Sequence, residues 1–295
     1  MIRIISGPDA EQLKMAMLSR IAVDLKAIRD GASQASRVLI VVPAQFTLAT
    51  ERMVFDTLGA PGFFDLHVMS GNKLRQEILR ETGGPGKTPI NSIGRAMLLR
   101  RIIAEKSEML GVFRDVSNKP EFVSLAADFI VQLRQSRLLP AQLSEMRKAL
   151  SRDSLLGRKL ADMQQLCAAY DEVMSDKLTD SEGLLAYTSD KAAESRLIKD
   201  SLIWFCDFYS FTPNEFNFIG SLMDASAGLG FAVLCPEEEF GARSSISLRT
   251  LARLKEEAQK RGKEVFSETL EADERPSPEL HLVRCSTPHT QAETI

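Results

Sequence analysis

Val38, Leu39, Ile40, Val41 and Val42 follow one another without a polar residue, and the run stops at Pro43. A strand with one wet face alternates apolar and polar side chains. A short β-branched run without alternation therefore belongs to a strand covered on both faces, as in a parallel sheet. Parallel strands also need crossover connections, usually helical, and the flanking sequence supplies them. Residues 2–6 read as another short buried strand, followed by a helical stretch over 9–29 with Asp9 as its N-cap. A helix starts near Gln45, a short strand covers 65–69, and a further helix runs from Gly71 to about Thr82. This alternation predicts an α/β fold built on a parallel sheet.

The alternation then lapses. Between Pro89 and Lys199 no strand pattern stands out. Phe122, Leu125, Ala126, Phe129, Ile130 and Leu133 recur at helical spacing, as do Leu156, Leu160, Met163, Cys167, Tyr170 and Met174, which describes the core of a helix bundle. The stretch carries 17 Lys/Arg against 15 Asp/Glu, the balance of solvated faces rather than of a nucleic-acid groove. Strand patterns return at 202–207, then a helix after Pro213, a strand at 230–234, a helix over 247–261 and a strand over 280–284. Glu237, Glu238 and Glu239, and residues 271–278, read as polar surface loops. The expected organisation is one α/β domain formed by residues 1–88 and 200–295, interrupted by an all-helical insertion over 89–199. The chain stops at HTQAETI, where a new helix is due by pattern, so a piece of something longer is expected.

Composition bounds the function. The 295 residues are 44% hydrophobic and 26% charged, a mixture that buries a core, and no apolar run approaches the roughly 18–20 residues of a membrane span. No secretory signal opens the chain, and Cys167, Cys206, Cys235 and Cys285 are too widely spaced for a metal site, so reduced thiols in a cytoplasmic protein are expected. His67, His281 and His289 are scattered without catalytic or metal-ligand spacing. A net charge of −3 argues against DNA as a ligand of the whole surface, since compact nucleic-acid modules are usually basic. Composition still permits a local basic patch.

The turn after the first strand, in IISGPDAEQLK, stands where a phosphate-binding loop would. That loop, GxxxxGK[ST], cradles phosphates with backbone N–H groups, reaches them with its lysine and holds Mg²⁺ with its hydroxyl. Counting from Gly7, those last three positions hold Gln12, Leu13 and Lys14. The lysine is one place late, roughly 100° around a helix. Pro8 removes a donor, and Glu11 adds negative charge. Gly83–Thr88 contains GKT but lacks the first glycine, and reads as a helix C-cap with glycine in the left-handed conformation. Asp207 ends the apolar strand LIWFCD, where a metal-coordinating carboxylate would sit, yet Phe208 follows in place of a glutamate. Gly7, Gln12, Leu13, Lys14 and Asp207 therefore read as remnants of a nucleotide site.

Three segments together carry a resemblance: VPAQFTLATER (42–52), INSIGRAMLLRRIIAE (90–105) and WFCDFYSFTPNEF (204–216). In their order and spacing the chain resembles the N-terminal part of the AddB component of AddAB-type (RexAB-like) helicase–exonucleases, which process broken DNA ends for recombination. The resemblance implies a P-loop, superfamily-1 helicase-like fold, with residues 1–88 and 200–295 as the first motor-like domain and 89–199 as its insertion. It implies a non-motor module that contributes DNA binding and contacts to an AddA-type helicase–nuclease subunit, while AddB scans DNA for a hotspot sequence. No cofactor is expected in this segment: ATP and Mg²⁺ belong to the partner motor, and an iron–sulfur cluster to a C-terminal nuclease part. No catalytic residue and no metal ligand is assigned here. By position, Gln45, Phe46 and Thr47 after the second strand, with Ser70 and Asn72 after the third, face single-stranded DNA in related motors; their plainer role is helix N-capping. Two alternatives remain, an ATP-hydrolysing helicase domain with an unconventional loop, and a protein-interaction scaffold without DNA contact.

Overall fold

The computed structural model describes residues 1–59, 64–138, 140–150, 154–235 and 241–271. The strand expected over 280–284, the triple glutamate at 237–239, residues 272–278, His281, His289 and Cys285 lie outside the described residues. The chain begins with β1 (Ile2–Gly7), α1 (Ala10–Arg29), β2 (Arg37–Val42), α2 (Thr47–Leu58), β3 (Leu66–Ser70) and α3 (Gly71–Thr82). A helical stretch follows: β4 (Thr88–Pro89), α4 (Ser92–Lys106), α5 (Pro120–Gln135), α6 (Pro140–Lys148), α7 (Leu155–Asp176), β5 (Leu178–Thr179), α8 (Ser181–Lys191) and α9 (Arg196–Lys199). The chain then forms β6 (Ser201–Cys206), α10 (Pro213–Ala225), β7 (Gly228–Leu234), α11 (Gly241–Lys260) and β8 (Val265–Thr269).

Six strands form one parallel sheet in the order β3-β2-β6-β7-β1-β8. Successive side chains point to opposite faces, and both faces are covered. Ile5, Ile40, Val42, Trp204 and Ala232 pack against Leu13, Met17, Ile21 and Val54 of α1 and α2. Ile4, Leu39, Val41, Phe205 and Phe231 pack against Leu74, Leu185, Ile219 and Leu254 of α3, α8, α10 and α11. This two-sided burial is why the run from Val38 to Val42 has no polar residue. Trp204 lies across Gly230, its partner on β7. A Cβ there would stand 2.3 Å from the indole, so only glycine fits beneath the ring.

The helical stretch has its own apolar cluster, centred on Leu99, Ile103, Ala126, Ile130, Leu166 and Tyr170. Asp162 of α7 is buried and accepts backbone N–H bonds from Gly111 (2.9 Å), Val112 (2.8 Å) and Phe113 (3.0 Å), fixing the turn between α4 and α5. Two positions of the expected apolar stripes face outward instead, Leu125 and Leu156. The expectation of no strand in this stretch needs one correction. Thr88–Pro89 and Leu178–Thr179 pair as a two-residue parallel ladder where the chain enters and leaves the helical cluster. Two residues are too few for alternation to register in sequence. Leu185, Ala192 and Ile198, after that ladder, join the apolar layer of the sheet.

Gly83 closes α3 with φ 87° and ψ 150°, a positive φ but not the left-handed helical conformation expected of it. Lys87 of the same GKT stretch donates to the Ser175 carbonyl at 2.8 Å, so this lysine ties the turn to α7. No helix among the described residues is long and apolar enough to cross a membrane.

Candidate nucleic-acid interface

Because all six strands are parallel, the turns after β1, β2, β3 and β6 emerge on one edge of the sheet, the edge where open α/β sheets hold ligands. The turn after β1 is closed by its own groups. Asp9 is the N-cap of α1, and its Oδ1 accepts from the N–H of Glu11 (2.8 Å) and of Gln12 (2.9 Å). These are the donors that an anion at a helix N-terminus would take. Leu13 is a core residue of the α1 face. Gln12 is half-buried, and its Oε1 has no hydrogen-bond partner. At Gly7 an added Cβ would stand 3.0 Å from the Leu270 side chain, and Leu270 N–H donates to the Ser6 carbonyl. The chain passing over Gly7 after β8 leaves little room there for a side chain.

Lys14 departs from expectation. Its offset of one residue does not isolate it: Nζ lies 2.9 Å from Oδ2 of Asp207 at the end of β6. The contact is an ion pair rather than an aligned hydrogen bond, because Oδ2 has no partner of hydrogen-bond geometry. Asp207 holds a left-handed φ of 64°, which an aspartate tolerates better than most residues. The Lys14 ammonium also sits 5.8 Å from the centre of the Phe46 ring. What remains between Leu13, Lys14, Cys206, Asp207 and Phe208 is a cavity of about 30 Å³, a space on the scale of one or two waters. Burial pushes the Cys206 thiol up to about 12, so it stays protonated.

Beside this closed turn lies a larger pocket of about 200 Å³ at the ends of β2, β3 and β6. Pro43, Ser70, Asn72, Arg75, Phe208 and Phe211 are among its walls. The aromatic side is a chain of rings: Phe205 meets Phe208 at 6.0 Å and 62°, Phe208 meets Phe211 at 5.2 Å, and Phe211 meets Phe216 edge-on at 5.6 Å. Arg75 also lines the pocket and donates to Oδ1 of Asn72. Burial pushes the Arg75 guanidinium below its ordinary value, while the carboxylates of Glu182 and Glu215 act to raise it. Glu215 also completes the N-terminal capping box of α10 with Thr212. A pocket lined by both a guanidinium and aromatic rings suits a flat, polar-edged group such as a nucleobase.

The candidates from sequence divide accordingly. Ser70 and Asn72 line the pocket, and Ser70 is also the N-cap of α3, accepting from Lys73 N–H at 3.2 Å. Phe46 joins the Lys14–Asp207 pair and is 38% exposed. Gln45 is exposed on the adjacent turn, and the Thr47 hydroxyl donates to the Ala44 carbonyl at 2.9 Å, so Thr47 does not cap its helix. Sequence reasoning missed Arg75, Phe208 and Phe211 as pocket residues. The available signal was the density of phenylalanine just after a strand end, in FCDFYSF. Among the described residues, no group of three or more His, Cys, Asp or Glu is placed to hold a metal ion.

Comparison with known proteins adds the lineage. The B subunit of the ATP-dependent helicase/deoxyribonuclease of Alkaliphilus oremlandii is 28% identical over 243 residues, covering 81% of this chain and 21% of that protein. The proteins of the same name from Heliobacterium modesticaldum and Desulforudis audaxviator are 28% and 26% identical, over 79% and 90% of this chain and 19% and 23% of theirs. The chain thus spans about a fifth of the length of these relatives. The family described as ADDB, N-terminal, matches residues 14–283, which leave out β1 but take in the other five strands of the sheet and all of the helical stretch, and the chain belongs to that family.

Proposed function

We propose that this chain is a helicase-like, non-motor module of a helicase–nuclease that processes broken DNA ends, and that it grips single-stranded DNA at the strand-end pocket. The observation that carries this reading is the pairing of two neighbouring features. The turn where a nucleotide's phosphates would rest is filled by Asp9 and Lys14, while the adjacent pocket presents rings, a guanidinium and amide and hydroxyl groups. The order β3-β2-β6-β7-β1-β8, with a helical stretch entering between β3 and β6, suits a superfamily-1 motor-like domain over 1–88 and 200–295 with an insertion over 89–199. Relatives are named as one subunit of an ATP-dependent helicase/deoxyribonuclease. On this reading the assembled protein works in the cytoplasm with an AddA-type motor subunit, which supplies the ATP and Mg²⁺ chemistry, and residues beyond this segment carry the nuclease and its iron–sulfur cluster.

Two measurements test it. Calorimetry with Mg-ATP on the full-length subunit alone should show no binding at millimolar nucleotide. A micromolar dissociation constant that vanishes on mutating the β1–α1 turn would restore the ATPase reading. Fluorescence anisotropy with a single-stranded oligonucleotide should show salt-dependent binding, because phosphate contacts release counterions. Binding should be weak for these 295 residues alone, given their near-balanced charge, and stronger with the motor subunit present. Phe208→Ala should weaken it about 10- to 100-fold, the worth of one stacked base. Absence of DNA binding by the assembled pair at this site would leave the scaffold reading.

A further inference from the structure

We propose that Lys14 is a positioning residue for the DNA pocket: its ammonium is a permanent, tethered cation that holds together the turns after β1, β2 and β6. The inference rests on the proposed function and adds a mechanism to it. Lys14 rises from the first turns of α1, and its Nζ meets Oδ2 of Asp207 at 2.9 Å and the Phe46 ring at 5.8 Å. Each of those contacts adjoins a wall of the pocket. Phe208, bonded to Asp207, is one wall; Pro43 and Ala44, just before Phe46, are another. One side chain therefore touches the segments that set the distance between the two walls.

The electrostatics favour a role in placement over a role in stability. The Lys14 and Asp207 side chains are 26% and 16% exposed, so each is partly wet, and ion pairs of that kind contribute little to folding. Asp207, however, has no hydrogen bond to its Oδ2 and turns the chain through a left-handed φ. Without Lys14 that carboxylate is a half-buried charge lacking its counter-ion, and the turn is free to carry Asp207 toward water and Phe208 with it. In a phosphate-binding loop, a bound metal–nucleotide bridges the first turn of the sheet to a strand-end carboxylate. Here a lysine makes the same span without a ligand. The pocket is then set permanently, and its grip on DNA does not cycle with nucleotide.

The test uses the full-length subunit assembled with its partner, and a single-stranded oligonucleotide carrying one 2-aminopurine as the probe. Lys14→Met should release the strand about tenfold faster than the parent, with less quenching of the 2-aminopurine, while the urea midpoint stays unchanged. Lys14→Arg should restore both readouts, and Asp207→Asn should reproduce the methionine variant, with the double variant no worse than either single one. A Lys14→Met protein with parental release and quenching would overturn the inference and leave the DNA-binding reading standing. A drop in the urea midpoint in step with the DNA defect would also overturn it, by making the lysine merely structural. If the parent itself shows no strand binding, the reading beneath the inference fails first, and the two failures are separately visible.

Discussion

Trp204→Ala should destabilise the protein by about 3–5 kcal/mol, the cost of deleting a large buried aromatic ring. The indole is 1% exposed, sits on β6 near the middle of the sheet, and packs with Ile5, Ile40 and Ala232 beneath α1. Of its two neighbours across the ladders, Ile40 on β2 is held in the core and Gly230 on β7 has no side chain, so the void can be filled from the β7 side by backbone movement alone. The loss should appear in urea denaturation followed by far-UV circular dichroism. Trp204→Phe should recover part of it, and Gly230→Ala, which drives a methyl group into the ring, should cost about 1–3 kcal/mol in the parent. The two changes should not add, because the nearest atoms to a Cβ at 230 all belong to the indole. Additive losses would show that the ring does not rest on Gly230. As this is the chain's single tryptophan, its emission also reports the packing directly in the parent.

The second large effect is expected at Asp162. Its carboxylate accepts three backbone N–H groups from 111–113, both oxygens are used, and the residue is 3% exposed. Asp162→Ala removes all three acceptors and should cost about 3 kcal/mol or more, since bonds to a charged group are worth about 1.5–3 kcal/mol each and are not fully additive. Asp162→Asn keeps one acceptor oxygen and should cost roughly half as much. Amide hydrogen exchange gives the local readout. The N–H groups of Gly111, Val112 and Phe113 should exchange faster in the alanine variant, and Phe113, whose ring meets that of Phe122 at 4.9 Å with a 35° tilt, should loosen with them. Unchanged exchange at these three amides would refute the assignment.

The sheet and its helices were legible because their signals are local. The unbroken run at 38–42, the glycine and N-cap at 7–9, and the proline that opens α10 each record a backbone requirement in adjacent residues. Strand β8 was not legible: VFSET is an exposed edge strand whose form depends on its pairing with β1, far away in sequence. The outward-facing Leu125 and Leu156 show the converse, apolar side chains that match the helical period without being buried. Asp162 sits beside Met163 in an amphipathic helix and reads as a solvated charge until residues 111–113 are brought beneath it. The pocket was least legible. Asn72 and Arg75 come from one segment and Phe208 and Phe211 from another, and only the ladder linking β3, β2 and β6 places them together. The Lys14–Asp207 contact was not legible for a different reason. Angle around a helix was weighed, but a lysine's four-carbon stem lets its charge reach well off its own axis.

The order of strands also sets a timetable. β1 pairs only with β7 and β8, and β2 finds its inner neighbour only in β6. At about 5–20 residues per second of synthesis, roughly 11–45 seconds separate the birth of β1 from that of β7. Between the emergence of β3 and that of β6 the VLIVV strand has β3 on one side and an open edge on the other. The helical cluster, drawn from one contiguous stretch, closes with contacts of short range and can form first. A nascent chain of this design thus carries a finished bundle while its most aggregation-prone strand still waits for a partner, and its yield in cells should depend on how well that waiting strand is sheltered.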